Sequence, residues 1–273
     1  MQVARSGEGA RVRLLEVCVD SVSGAVRAQQ GGAGRVELCA SLVEGGTTPS
    51  VGLMRAVVRA VRVPVMVMVR PRGGDFLFSE EEVQVMELDV AAAKQAGAAG
   101  VVVGALTREG RVDEAVLRRL CAAAAPLQVC FHRAIDVSRD PLEVLRTLAA
   151  LGGVHRVLTS GGAASALAGH ATVRAMVELA EPLGITVMAG AGVDEVTCAD
   201  VARLTHATEL HGSLRCTEGS AMLFRKDPPI FMGAEKRNEP AAEFTIKVVD
   251  ASRVAAVCLT LGLGPRAPPA PPG

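Results

Sequence analysis

The chain has 273 residues, 49% of them apolar, and carries 29 basic against 29 acidic side chains. That balance gives no electrostatic reason to bind nucleic acid or an anionic membrane surface. Aromatics make up 2%, with neither Trp nor Tyr, which excludes base-stacking strand binders and aromatic-cage readers. No apolar run approaches the roughly 20 residues that a membrane-spanning helix needs. Residues 1–13, MQVARSGEGARVR, lack the apolar stretch of a secretory signal and read as a flexible segment. Seven cysteines stand singly with no Cys-x-x-Cys, a pattern that suits reduced thiols of an intracellular protein.

Short β-branched or apolar runs alternate along the chain with segments of helical period. The runs are Leu14–Val19, Arg35–Cys39, Pro64–Arg70, Gly100–Gly104, Leu127–Phe131, His155–Thr159, Ile185–Ala189 and Thr208–Gly212. They recur at roughly 20 to 36 residues, the length of a βαβ unit. VMVMV at 65–69 and VVV at 101–103 are apolar at every position, as strands covered on both faces are. Between the runs, Ser79 precedes three Glu at 80–82, which caps and charges a helix N-terminus. Asp140-Pro141 starts another helix, which Gly152-Gly153 stops. Eight such units without a compositional break predict a TIM-type (β/α)8 barrel over 14–263 in preference to an open doubly wound sheet. Past the eighth run, about 219–240 reads as a loop, Phe244–Val249 as an extra strand and Ala251–Leu263 as a final helix. The tail 264–273, ending PRAPPAPPG, reads as disordered.

In a barrel, polar side chains at the C-terminal strand ends face the functional site. Glu16, Cys18 and Asp20 share one parity of the first strand, and Glu37 and Cys39 one face of the second. The third strand ends in Arg70, with Arg72 just beyond. The fifth closes on His132, followed by Arg133 and Asp136, and the eighth carries Glu209 and His211. Charged groups from five strands are costly in an apolar barrel unless they pair or bind something. They read as a pocket for an anionic or metal-coordinating ligand with Glu and His available for proton transfer; the alternative is an ionic plug that fixes barrel geometry. The loops Thr159-Ser160-Gly161-Gly162 and Ala189-Gly190-Ala191-Gly192 match no nucleotide fingerprint. They are candidate oxyanion cradles at Thr159, Ser160, Gly161 and Gly190, or simply tight turns. Cys18 and Cys39, near the ends of neighbouring strands about 4.8 Å apart, form a candidate soft-metal pair, or serve as two small core residues.

The stretches LLEVCVDS, RVELCASLVEGGTTPS, PVMVMVRPRGGDF, FHRAID and RVLTSGG closely resemble the CutC family of copper homeostasis proteins, across about 14–260. The resemblance implies a cytoplasmic TIM-barrel protein, with the nucleus a second compartment, that assembles as a homodimer or homotetramer and binds Cu(I). It places the copper ligands on Cys18 and Cys39. The polar cluster maps onto Glu16, Glu37, Arg70, Arg72, His132 and His211. This implies the alternative of an enzyme, of lyase or isomerase type, acting on a small anionic molecule. The loop after the seventh strand reads AGAG where relatives often carry a fuller glycine run, and position 212 is Gly where some have Cys.

Overall fold

The apolar runs become strands and the amphipathic segments become helices, in strict alternation. The computed structural model describes residues 11–228, 230 and 244–264. Its barrel strands are β1 (Leu14–Val19), β2 (Arg35–Leu38), β3 (Val65–Met68), β4 (Gly100–Val103), β5 (Gln128–Phe131), β6 (Arg156–Thr159), β7 (Thr186–Gly190) and β8 (Glu209–Gly212). The intervening helices are α1 (Val22–Gln30), α2 (Val51–Ala60), α3 (Glu80–Ala96), α4 (Glu114–Ala124), α5 (Pro141–Leu151), α6 (His170–Ala180) and α7 (Cys198–Thr205). All eight strands pair in parallel with their chain neighbours, and β8 returns to β1 to close the barrel. At that seam Glu16 lies opposite both Arg35 and His211, and Cys18 opposite Glu37.

Helix ends follow their local chemistry. Ser79 accepts from the Glu82 amide while the Glu82 side chain accepts from the Ser79 amide, a complete capping box. Asp140 caps α5 ahead of Pro141, and Gly97 ends α3 in the left-handed conformation. Strand residues of one parity, such as Leu15, Val17, Val36, Leu38, Val101 and Val103, join the helices in a single apolar layer around the barrel. The opposite parity fills the interior, where Met66, Met68, Val102, Cys130, Leu158 and Met188 form a second apolar cluster.

Beneath that cluster the barrel carries an ionic floor. Arg35 donates through Nε to Glu16, through Nη2 to Glu209 at 2.5 Å, and contacts the Met188 sulfur at 3.3 Å. Arg156 Nε reaches the same Glu209 carboxylate at 2.7 Å. Glu16 is 1% and Arg35 4% exposed, so each charge depends on its partners for solvation.

After β8 the expected extra strand and final helix form, and an unexpected strand precedes the expected loop. Arg215–Gly219 forms β9, which pairs antiparallel with β10 (Thr245–Val249), and α8 (Ala251–Thr260) then packs on α1 and α7. β9 reads RCTEG, with no apolar alternation, and is held by its ladder to β10 rather than by burial. The flexible ends expected at 1–13 and 264–273 lie mostly outside the described residues. Of those described, Val12 is buried and the Arg13 amide donates to Thr208 O at 2.7 Å. No described helix is long and apolar enough to cross a membrane.

Candidate functional site

The C-terminal ends of the strands open into a cavity of about 430 Å³, lined among others by Cys18, Glu37, Arg70, His132, His211 and Arg215. Its volume falls at the small-metabolite end of the range for ligand pockets. Two of its lining residues, Ala191 (φ 78°) and Leu214 (φ 46°), hold a left-handed backbone conformation that disfavours side chains bearing a Cβ. Ala191 is the position that breaks the glycine run of the seventh loop.

The register across β8, β1 and β2 gathers one cluster. The Cys18 sulfur, a Glu37 carboxylate oxygen and a His211 ring nitrogen all lie within 4.8 Å of one another. His211 is fixed from below, its Nδ1 2.9 Å from Glu16 Oε1, while its Nε2 stands 3.7 Å from Glu37 Oε2. Gly190 makes room for this ring, since a Cβ there would lie 3.2 Å from the His211 Cβ and 2.6 Å from Leu158 Cδ1. Burial alone would raise the Glu16 pKa, but the Arg35 charge and the His211 hydrogen bond overcome it and hold the carboxyl down at about 2. Burial also opposes the His211 charge, yet Glu37, Cys18 and Glu16 together keep its pKa well above the usual histidine range. Burial raises both Glu37 and Cys18. In the resting cluster the imidazolium therefore sits between two carboxyl groups, with the Cys18 thiol protonated.

Cys39 is fully buried and stands outside this cluster. Its thiol donates to Glu37 Oε2 at 3.5 Å, and its sulfur packs among the Met66 and Met68 side chains. Burial and the Glu37 charge push its pKa well up. The structure thus brings Cys18 together with Glu37 and His211, and sets Cys39 behind Glu37.

Beyond β2, at the end of the neighbouring β3, Arg70 Nη1 donates to Glu44 O and Gly46 O at 2.7 and 3.0 Å, and Nη2 to Gly74 O at 2.7 Å. Phe76 lies against both Arg70 and His132, at 4.8 Å from each. His132 Nδ1 accepts from the Ala134 amide at 3.1 Å, which fixes the neutral tautomer with its proton on Nε2. Gly104 accommodates the ring, because a Cβ there would approach His132 Cε1 to 2.4 Å. Burial, then the charge of Arg70, pushes the His132 pKa down to about 3.

This shift carries a pH dependence. Between the ordinary histidine pKa of about 6.5 and the folded value, the unfolded chain takes up a proton that the folded chain refuses. Stability is therefore lost as pH falls through that window, and the His132 share at pH 5 is about 2 kcal/mol. His132→Asn keeps an N-cap acceptor but cannot titrate. Equilibrium unfolding should show the stability gap between wild type and this variant narrowing by about 2 kcal/mol from pH 7 to pH 5.

Arg72 does not join the pocket. It turns outward to Glu82 at 2.6 Å and Leu77 O at 2.8 Å, fastening the loop after β3 to the start of α3. At the loop after β6, the candidate cradle already holds an internal carboxylate. Asp136 accepts from Thr159 Oγ1 (2.6 Å), Ser160 N (3.0 Å), Ser160 Oγ (2.9 Å) and Gly162 N (3.1 Å), while Gly161 N donates to Thr159 Oγ1 at 2.8 Å. Asp136→Ala leaves the donors of the buried Thr159 and Ser160 unmet and should cost about 3 kcal/mol in denaturant unfolding. Arg35 and Arg156, absent from the candidate residues, are set two positions before Glu37 and Leu158 on inward-facing parity; that spacing was the available signal.

An ionised floor beneath a mouth of thiol, imidazole, carboxyl and guanidinium groups gives this (β/α)8 protein a candidate site at the C-terminal face, where barrels of this kind usually carry theirs. The profile of the CutC family matches residues 13–216. The mouse copper homeostasis protein cutC homolog is 46% identical over 241 residues, 88% of this chain and 86% of that protein. A CutC family protein of Xylella fastidiosa is 50% identical over 202 residues, 74% of each chain. The crystal structure of the putative copper homeostasis protein CutC from Streptococcus agalactiae superposes with a TM-score of 0.70 at 31% identity, covering 73% of this chain and 98% of that one. The chain belongs to the CutC family. N-(5'-phosphoribosyl)anthranilate isomerase from Pyrococcus furiosus, at 11% identity and a TM-score of 0.51 over 91% of this chain and 98% of its own, shares the barrel fold alone.

Proposed function

We propose that this protein serves copper homeostasis by holding Cu(I) as cargo on Cys18 and His211, with Glu37 as a third donor. The observation that carries the reading is the convergence of those three donor atoms within 4.8 Å. Metal–sulfur and metal–nitrogen bonds of about 2.3 and 2.0 Å span at most about 4.3 Å across one ion, so small side-chain adjustments seat it. A thiolate and an imidazole favour Cu(I) over Mg²⁺ or Ca²⁺, and the Met68 thioether lines the same cavity. Glu16 below His211 supplies the carboxylate–histidine support typical of metal sites, directing Nε2 at the ion. Because the Cys18 thiol and the imidazolium both hold protons at rest, loading releases them and acid favours unloading.

The test is an anaerobic Cu(I) titration of the reduced full chain against a competing chelator. One tightly held ion per chain, lost in Cys18→Ser, supports the site. Binding that is weak, or indifferent to Cys18, removes it.

A further inference from the structure

Five buried side-chain nitrogen or oxygen atoms lack a hydrogen-bond partner among the described residues: Glu37 Oε1, Arg70 Nε, His132 Nε2, Arg156 Nη1 and Arg215 Nε. Random packing faults would scatter through the fold, yet four of these five belong to residues lining the one mouth cavity. Glu37, Arg70 and His132 are 4%, 5% and 4% exposed, so bulk water does not satisfy them, and leaving such groups unmet is costly.

The orphan atoms are of defined kinds. Arg70 Nε and His132 Nε2 are both N–H donors, the second fixed as a donor because Nδ1 is occupied by the Ala134 amide. Glu37 Oε1 is a carboxyl oxygen on β2, the strand that pairs with β3 just ahead of Arg70, whereas His132 follows β5. Arg70, Arg133, Arg215 and Arg253 line the cavity, and guanidinium stays charged at any working pH. Arg133 pairs with Asp136 at 2.7 Å and Arg253 with Glu195 at 2.8 Å. The Arg70 guanidinium donates to backbone carbonyls, and Arg215 of β9 stands 3.5 Å from Asp20, so these two carry the least compensated positive charge at the mouth.

We propose that the barrel mouth binds a small hydroxylated oxyanion, its anionic end hydrogen-bonded by Arg70 Nε–H and His132 Nε2–H and its hydroxyl by Glu37 Oε1. A carboxylate and a phosphate ester share that chemistry. Two donors of this binding set, Arg70 and His132, lie outside the Cys18–Glu37–His211 cluster, so this inference and the copper reading fail separately. The cradle after β6 is not the seat of this ligand, since Asp136 fills it.

The experiment is calorimetric titration and thermal shift of the reduced, chelator-treated full chain with glycolate, glycerol 3-phosphate and uncharged glycerol. Saturable binding of at least one anion and not of glycerol is expected; glycolate alone identifies a carboxylate, glycerol 3-phosphate alone a phosphate ester. His132→Asn, which retains the cap on Ala134, should weaken that binding about tenfold or more. Cys18→Ser should keep the anion while losing copper. Should His132→Asn fail to fold, Arg215→Ala decides: its contacts at 3.4 and 3.5 Å are long, and its loss should weaken the anion about threefold or more. No saturable anion binding, equal binding of glycerol, or wild-type affinity in the deciding variant overturns the proposal.

Discussion

In competition titrations at neutral pH, Cys18→Ser is expected to lower Cu(I) affinity about 1,000-fold or more, and Cys39→Ser only about tenfold. The asymmetry follows from position. Cys18 supplies the only sulfur in the three-donor cluster among the described residues, whereas Cys39 donates to Glu37 and would act on a bound ion only through it. A hydroxyl in place of the Cys18 thiol is a hard and poorly ionised donor, which Cu(I) disfavours. At position 39 a hydroxyl can still donate to Glu37 and loses mainly its packing against methionine. Equal losses at the two positions would mean that both sulfurs ligate one ion and that the cluster is drawn wrongly.

Removing the centre of the ionic floor should give the largest stability effect. Arg35→Met is expected to cost about 3–5 kcal/mol in equilibrium unfolding, a fall of about 10 °C in Tm for a chain of this size. The substituted side chain fits the space beside Met188, so the loss is electrostatic: Glu16 and Glu209 remain in the interior, with only His211 and Arg156 to answer them. Adding Glu209→Gln removes one stranded charge, and the double variant should recover about 1 kcal/mol or more relative to additivity. Because Glu16 orients His211, Arg35→Met should also weaken Cu(I) binding, within the roughly 10–100-fold range of outer-shell changes. Unchanged stability would show that the floor carries no net interaction.

The alternating pattern made the barrel legible before any coordinates. Fully apolar runs at 65–69 and 101–103 became β3 and β4 within a residue or two, and the Ser79 and Asp140-Pro141 signals marked true helix starts. β9 was illegible because RCTEG has no apolar face; a partner about 30 residues away defines it. Within the strands, parity correctly brought Glu16, Cys18, Glu37 and His211 to the interior. It said nothing past strand ends, where Arg72 turns out to α3 and Asp136 folds back into the loop after β6. Parity could not rank Cys18 above Cys39 either. That choice depends on barrel closure, which brings His211 of β8 beside β1 rather than beside the end of β2. Both readings of the polar cluster, plug and pocket, describe part of it: Glu16, Arg35, Arg156 and Glu209 form a charge-paired floor, while Glu37, Arg70 and His132 above it keep unmet polar atoms.

X-ray absorption at the copper edge of the Cu(I)-loaded, reduced full chain tests the central claim most directly. The account predicts one sulfur neighbour at about 2.3 Å and one or two nitrogen or oxygen neighbours at about 2.0 Å. Two sulfur neighbours, or none, would contradict it.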